Sequence, residues 1–522
     1  MEISNATLIR EIDKYTVEKL GIPGIILMEQ AASGCADEII KILAEKKFDR
    51  IIIAAGSGNN GGDGFAICRR LLYHGFNCEI LLACSESKIK GDALTNLIIL
   101  KNLGIRISQF SADNFDASYL DKSIIIDAIL GTGATGNIKP EISKLINQIN
   151  LSNCFKVSID LPSGLSENPE NPVVKSDMTL TIGLYKDILF SDKGIENCGT
   201  IKLVNIDFFE SVISRFSRKT FANEISKQFL IDLIPPENSN KHSAGKILIA
   251  AGSEKYSGAA VLACKAAVES GAGLVYCLCE ETTLNCVKIN VPEVITVKLD
   301  SDEGIINFSE FNKRTVEKYL NAADSILIGP GLGTSLDLFE LVKFVMIKST
   351  VPVVIDADGL NNIAGKIDFK YINENGTFIL TPHPGEFSRL TGLNKTQIQN
   401  DRINSIDALK LNKNSIIVLK GKYSIISDSE NKYVNFTGNS LLSTAGSGDV
   451  LAGIIAAYCA RAKKYETLET VRTAAFIHGA VSDYLKNFES RNSMKAADIV
   501  SKLNKITALM ISSDDKKILN PF

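Results

Sequence analysis

Short, nearly uninterrupted runs of Val, Ile, Leu and Ala alternate with amphipathic stretches along most of the chain. The first clear unit is RIIIAAGSGNNGGDG: a strand over 50–55, a glycine loop, then a helix through FAICRRLLYHG. CEILLA, SIIIDAIL and CFKVSID follow as strands, and KILIAA, LVYCLC, SILIGPG, PVVIDA, TFILTP and SIIVLKG repeat the pattern in the second half. Apolar runs of this kind fit parallel strands buried on both faces, and helices between them make the fold class α/β. The alternation breaks over 212–240, where ISRFSRKTFANEISKQF is polar and without strand pattern and PPENSN is a loop signal. Two domains are expected, 1–215 and 216–522.

Composition narrows the function classes. The chain has 522 residues, 45% of them hydrophobic and 22% charged, enough apolar surface for two full cores and against a disordered chain. Lys and Arg number 57 against 60 Asp and Glu, a net charge of −3, which leaves no electrostatic footprint for nucleic acid or an anionic membrane. No apolar run approaches the ~18 residues of a membrane span. The N-terminus, MEISNATLIREIDKYTVEKL, has acids and no apolar core of a secretory signal, so a cytoplasmic location is expected. The 11 cysteines are dispersed without a CxxC pair, which fits a reducing compartment; Cys277 and Cys279 alternate and should face one side of a strand. The 4 histidines (His74, His242, His383 and His478) show no metal-ligand spacing, which disfavours zinc.

The chemistry concentrates in the loops after strands. GSGNNGGDG (56–64) satisfies GxGxxG at Gly56, Gly58 and Gly61, and GTGATG (131–136) repeats it after SIIIDAIL. Amides at a helix start suit an anion and glycines permit close approach. One such loop is as well explained by a tight turn; two at the carboxyl ends of one parallel sheet point to a ligand edge. The acid that would read a ribose in a standard NAD dehydrogenase should end the next strand, but Glu79 begins it. No GxxxxGK[ST] occurs, which disfavours a Walker-type NTPase. Asp160, in SIDLPSG, ends a strand at the same edge, either as a functional acid or as a turn acid. Asp127 lies within a strand, where a carboxylate needs a backbone donor, a basic group or a cation. A hard cation takes oxygen ligands, and Asn60, Asp127 and Ser163 are placed to converge on one.

LMEQAA, GSGNNGGDGF, IIDAILGTGATG and SIDLPSGL together resemble the NAD(P)H-hydrate epimerase family, over about residues 5–210. MEQAA (28–32) stands where that family usually reads MENAG. The resemblance implies a Rossmann-like three-layer sandwich binding a hydrated nicotinamide dinucleotide and potassium. By motif position, Asn59, Asn60, Gly61, Gly62, Asp63 and Gly131, Thr132, Gly133, Ala134, Thr135, Gly136, Asn137 line the dinucleotide. Asp160 is implied to be the acid/base, and Asn60, Asp127 and Ser163 to hold potassium.

In the second half, TAGSGDVLAG (444–453) runs from a glycine turn directly into an apolar helix. Its amides would form an anion hole, and Asp449 at the first turn is either a base for a substrate hydroxyl or a helix-dipole partner. GPGLG (329–333), TPHPGE (381–386) with His383, VLKGK (418–422) with Lys420, and Asp356 and Asp358 in VIDADGL all follow strands. Each has a plain alternative: a turn, a structural histidine, a solvated lysine, helix caps. The two aspartates are also candidates for holding magnesium through water.

KHSAGK, AGSEKYSGAAVLACKAAVESGAGLV, IGPGLG, VIDADGL, LTPHPGE, VLKG, AGSGDVLAG, IHGA and SMKAADI, in order over about 225–505, resemble the ADP/ATP-dependent NAD(P)H-hydrate dehydratase family of the ribokinase-like superfamily. Ala445 replaces the first glycine of that family's usual ATGGSGD. The resemblance implies a second, ribokinase-like three-layer sandwich. It implies dinucleotide-hydrate contacts at Ala259, Gly333, His383 and Asp449, and adenine-nucleotide contacts at Lys420, Gly421, Lys422, Tyr423, Ser424 and Gly448.

Both halves together resemble the bifunctional NAD(P)H-hydrate repair enzymes. That implies a metabolite-repair enzyme that epimerises R and S hydrated NADH or NADPH and dehydrates the S form with ADP or ATP. Potassium and magnesium are the implied ions, and a homo-oligomer acting on small molecules is expected. The rival is a ribokinase-like kinase for a small vitamin precursor with a non-catalytic N-terminal binding domain.

Overall fold

The structure, a computed structural model, describes residues 1–522 except 113–114, 134–135, 218, 236, 238–240, 242–243, 370–372, 429, 515–516, 519–522 and the Lys517 side chain. The chain divides into two compact units, Met1–Arg218 and Lys219–Phe522. Among the described residues no helix is long and apolar enough to cross a membrane.

The first unit opens with α1 (Ala6–Glu18) and α2 (Gly24–Glu45). There follow β1 (Ile51–Ala55), α3 (Asn59–Tyr73), β2 (Cys78–Leu82), α4 (Gly91–Asn102), β3 (Ile107–Gln109), β4 (Ile124–Ala128), α5 (Pro140–Leu151), β5 (Phe155–Ile159), β6 (Met178–Ile182) and β7 (Thr200–Val204). All described strand pairs of this sheet are parallel, in the order 3-2-1-4-5-6-7. That is the Rossmann order with one strand added, and its switch point lies between β1 and β4. Ile51 and Ile53 pack with Phe65 and Leu71 of α3 on one face, while Ile52 and Ile125 pack with Leu145 and Ile149 of α5 on the other. The apolar run needs both partners: in a period of two, every residue of IIIAA is buried. The unit is the expected three-layer sandwich.

The second unit carries a sheet of ten described strands. These are β8 (Thr220–Ala222), β9 (Lys246–Ala250), β10 (Leu274–Cys279), β11 (Ile295–Lys298), β12 (Ser325–Ile328), β13 (Val353–Ile355), β14 (Phe378–Leu380), β15 (Ile416–Leu419), β16 (Ile425–Ser427) and β17 (Lys432–Val434). Their order is 8-17-16-15-14-13-12-9-10-11. Strands β9 to β15 pair in parallel, and β15–β16–β17 form an antiparallel edge. Around them lie α6 (Ser257–Glu269), α7 (Pro384–Thr391), α8 (Ser447–Arg461), α9 (Thr467–Asn487) and α10 (Ala496–Ser512). Ile247, Ile249, Cys277 and Cys279 face α6, α8 and α9, while Leu248, Leu278 and Ile326 face the opposite layer. Cys277 and Cys279 thus share one face, as alternation requires.

Two described parts of the stretch over 212–240 form elements that its sequence does not suggest. Thr220–Ala222 pairs in parallel with β17, and Phe229 and Leu230 of the short helix Lys227–Asp232 are buried in the second unit's core. A three-residue edge strand is too short to show a period of two.

Candidate active sites

In the first unit the two glycine loops meet at the switch point. A Cβ on Gly56 would lie 2.0 Å from the Ile129 carbonyl, and one on Gly61 would lie 2.0 Å from the Gly56 carbonyl, so β1, α3 and the β4 loop close on one another only with glycine there. Gly58, by contrast, has open space on its Cβ side. Above the loops is a cavity of about 500 Å³. Its walls include Gly58, Asn59, Asn60, Asp63, Gly131, Thr132, Gly133 and Asp160 from the sequence-derived set. Gly61, Gly62, Gly136 and Asn137 are not in its walls: Gly62 abuts Met28 and Ala93, and the Gly136 carbonyl accepts from Asn171 Nδ2. Ala134 and Thr135 lie outside the described residues.

Asp160 ends β5 at φ +68°, a left-handed conformation unusual for a side-chain-bearing residue and typical of functional positions. Its Oδ1 pairs with Lys186 Nζ at 2.5 Å, and its Oδ2 accepts from the Thr132 amide at 3.2 Å. The bond therefore joins the two candidate loops and is not a local turn. Lys186 is 1% exposed and also donates to the Ile182 carbonyl at 2.6 Å. Burial, then the nearby Asp160 and Asp13, hold the Asp63 carboxyl well above its ordinary range. Asp13 of α1 opens to solvent through the cavity, yet enough protein surrounds it that lost hydration pushes it up to about 6, with Asp160 raising it further and Lys186 opposing.

Asp127 is wholly buried. It accepts from the Ser163 hydroxyl (2.5 Å) and amide (2.8 Å), the Ser158 hydroxyl (2.8 Å) and the Ile129 amide (3.3 Å). Burial still raises its carboxyl against these donors. Asp127 and Ser163 are thus together, and Asn60 stands at the cavity wall with both amide atoms buried and without a protein partner. A buried, unpaired amide needs a ligand to satisfy it.

In the second unit the candidates collect at the carboxyl ends of β12 to β15. Asp356, 1% exposed, accepts from Lys420 Nζ at 2.7 Å and from the Thr381 hydroxyl at 2.7 Å. Lys420 is therefore a half-buried ion-pair partner rather than a solvated lysine. Burial works to lower its ammonium, but Asp356 and Glu386 outweigh that and leave it raised. Asp358 Oδ2 accepts from the Gly333 amide at 2.9 Å, so it braces the GPGLG loop, and Ala357 between the two aspartates sits at φ +49°. A Cβ on Gly331 would come within 2.9 Å of Ala259 Cβ, which puts Ala259 of α6 against the same loop.

His383 caps α7. Its Nδ1 accepts from the Gly385 (2.9 Å) and Glu386 (3.3 Å) amides, and Glu386 returns a bond to the His383 amide, completing a capping box. The cap fixes the ring with its proton on Nε2, and burial, Lys420 and Arg389 hold its pKa down. Asp449 lies in the first turn of α8, after Gly446 at φ +86°. Burial, then Asp356, pushes its carboxyl up to about 7 against Lys420. A Cβ on Gly448 would sit 3.2 Å from Lys420 Nζ, so the helix start and the lysine are neighbours. The 421–424 turn is braced by buried Arg402, which donates to the Lys422 carbonyl at 2.5 Å.

The sequence reading missed Asp13, Lys186, Thr381 and Arg402. Only Lys186 had a usable signal, a lysine at the end of the apolar stretch MTLTIGLY.

Two mostly parallel sheets, each ending in glycine loops beside buried carboxylates, define an α/β protein of the nucleotide-handling class with two separate sites. The family described as NAD(P)H-hydrate dehydratase matches residues 247–505, and that described as YjeF-related protein N-terminus matches residues 24–188. The chain is 30% identical over 518 residues to the bifunctional NAD(P)H-hydrate repair enzyme Nnr of Moorella thermoacetica, covering 96% of each chain. It is 33% identical over 469 residues to the Nnr protein of Archaeoglobus fulgidus, covering 89% of this chain and 90% of that one. A solved structure of the ADP/ATP-dependent NAD(P)H-hydrate dehydratase from Bacillus subtilis, co-crystallised with ATP and Mg2+, is 26% identical and covers 55% of this chain and 97% of that one, at a TM-score of 0.45. The chain belongs to the bifunctional NAD(P)H-hydrate repair enzyme family.

Proposed function

We propose that the first unit interconverts the R and S forms of hydrated NADH and NADPH, and that the second dehydrates the S form to NAD(P)H, using ADP and giving AMP and phosphate. One observation carries this reading: a single chain, similar over nearly its whole length to relatives named for NAD(P)H-hydrate repair, has two separate carboxylate sites at carboxyl sheet edges. A precursor kinase would use only the second.

In the second unit Asp449 takes the proton of the ring hydroxyl; a carboxyl pushed up to about 7 is matched to that task near neutrality. The hydroxyl oxygen attacks the terminal phosphoryl group of the nucleotide, and the amides at the start of α8 meet the developing charge. AMP departs as that P–O bond forms; phosphate then leaves as the ring nitrogen donates its lone pair, and the neighbouring ring carbon gives up a proton to the released phosphate, which restores the C=C bond of NAD(P)H. Lys420 to Ser424 and Gly448 hold the adenine nucleotide, while Ala259, Gly333 and His383 hold the dinucleotide hydrate. Magnesium, when bound, neutralises phosphate charge; it favours one or two carboxylates plus phosphate oxygens, a role open to Asp356 and Asp358 through water.

In the first unit Asp160 moves the proton at the hydrated carbon, and Asn59, Asn60, Asp63, Gly131, Thr132 and Gly133 cradle the dinucleotide. Asn60, Asp127 and Ser163 would hold potassium: the Asn60 amide, unpartnered among the described residues, and an oxygen-rich neighbourhood suit a hard cation, which would supply countercharge to the substrate phosphates. We place the reaction in the cytoplasm, where the 11 cysteine thiols, none in a disulfide, stay reduced.

The test is recovery of NADH absorbance from mixed R and S NADH hydrate with ADP or ATP, magnesium and potassium. Full recovery is expected. Recovery that stops at the S fraction would remove the epimerase half, and accumulation of a phosphorylated product without NADH would return the second unit to a kinase.

A further inference from the structure

The cavity of the first unit has a wall that none of the motifs account for. Helix α1 contributes Ile9, Arg10 and Asp13 to the same walls as Asp160 and Lys186. The helix is fixed in place from two sides. Ile9 and Ile12 pack on Leu184 and Val212, and just before the helix Ile3–Ser4 pairs in parallel with Tyr185–Lys186, Ser4 opposite Lys186. The helix that presents Asp13 is therefore indexed directly on the lysine that grips Asp160. Residues 24–188 are the span matched by the N-terminal family, so Asp13 lies outside it.

Inverting a carbon that bears a hydroxyl beside a ring nitrogen takes two proton movements, one on each face of the ring. Asp160, in the cavity wall, is placed to accept one of these protons. A carboxyl that can give one must open onto the same cavity.

We propose that Asp13 is the second acid–base residue of this epimerase site, acting on the opposite face of the substrate ring from Asp160. The proposal rests on the epimerase reading above. From R to S, the Asp13 carboxyl gives its proton to the hydroxyl. The C–O bond breaks with its electron pair on the departing water, and the nitrogen lone pair forms a C=N bond. A water adds to the other face, and its proton passes to the Asp160 carboxylate. The reverse reaction uses the same two groups with roles exchanged, and Lys186, which pairs with Asp160 and lines the same cavity as Asp13, carries the proton back. The raised Asp13 carboxyl, faced by Lys186 and Asp160 and with Asp63 near, is consistent with an acid in that role.

The experiment uses the full-length protein and purified R-NADH hydrate. Conversion to the S form is followed by chromatography without ADP, for wild type, Asp13→Asn and Asp13→Glu, in ordinary and oxygen-18 water. Wild type should interconvert the forms with label entering the product. Asp13→Asn should lose at least ~100-fold in rate, and Asp13→Glu should retain measurable exchange. All three should recover NADH from the S form with ADP equally. Interconversion by Asp13→Asn at the wild-type rate would overturn the proposal, and unlabelled product from wild type would overturn the C–O step. Should Asp13→Asn unfold, Asp13→Glu decides through its pH profile: the alkaline limb moves if Asp13 gives the proton and stays if it does not. A wild type that fails to interconvert the forms would instead refute the epimerase reading itself.

Discussion

Lys420 Nζ stands 2.7 Å from Asp356 Oδ1, an ion pair buried at the carboxyl edge of the second sheet directly beneath Gly448. Removing the cation leaves the Asp356 charge with the Thr381 hydroxyl as its remaining side-chain donor among the described residues. Lys420→Met should therefore destabilise the second unit by about 3–5 kcal/mol, the usual cost of orphaning a buried charge. Denaturant unfolding would measure it, and a loss under 1 kcal/mol would mean the pair is far more hydrated than the structure shows.

Asp449→Asn should lower dehydration of the S form by about 10²–10⁴-fold, the usual worth of a general base, and leave epimerisation untouched. The pH dependence follows from the base form. With the carboxyl pushed up to about 7, the dehydration rate should rise as pH increases through about 7 and fall below it. A flat profile from pH 5 to 8 would remove Asp449 from that role.

His478 of α9 is buried against Ser447, the first residue of α8, with Nε2 3.0 Å from the Ser447 carbonyl. Burial holds its pKa down to about 4, whereas the unfolded chain protonates it near 6.5. The unfolded state binds the extra proton between those values. Its contribution to stability is therefore complete above about pH 6.5 and declines toward pH 4, by up to about 3 kcal/mol. His478→Gln should flatten that part of the stability–pH curve, read by urea unfolding at each pH.

Among the described residues the Asn60 amide has no protein partner, so Asn60→Ala removes no hydrogen bond that they make. Thermal stability should stay within about 1 kcal/mol of wild type. Potassium activation of R to S conversion should weaken at least tenfold. Unchanged potassium dependence would move the cation elsewhere.

Much of this architecture was legible in the sequence because the sheets are buried on both faces. A run such as IIIAA cannot be a one-sided strand, and the glycines at 56 and 61 reveal a backbone crossing that no side chain fits. The edge strands were not legible: TFA over 220–222 has one neighbour and no period to display. Within the sites, residues next to glycine motifs could be read. Those that act from a distance were harder: Lys186 is marked only by the apolar stretch before it, and Arg402 is set by tertiary packing with nothing local to show that it ends up buried. Asp13 looked like any acid on an amphipathic helix until the cavity behind it was visible.

The adjacency of β1 and β4 has a consequence for how the protein is made. The two glycine loops abut, yet Gly56 and Gly131 are separated in the chain by two complete strand–helix excursions. A chain emerging in order from the ribosome exposes its first loop long before the second exists, and pairings between such distant segments form slowly. The half-finished sheet has β1 as an open edge where β4 belongs. During that interval the most apolar strand of the unit is unprotected, so synthesis rate and chaperone access should govern the yield of this unit more than its final stability does.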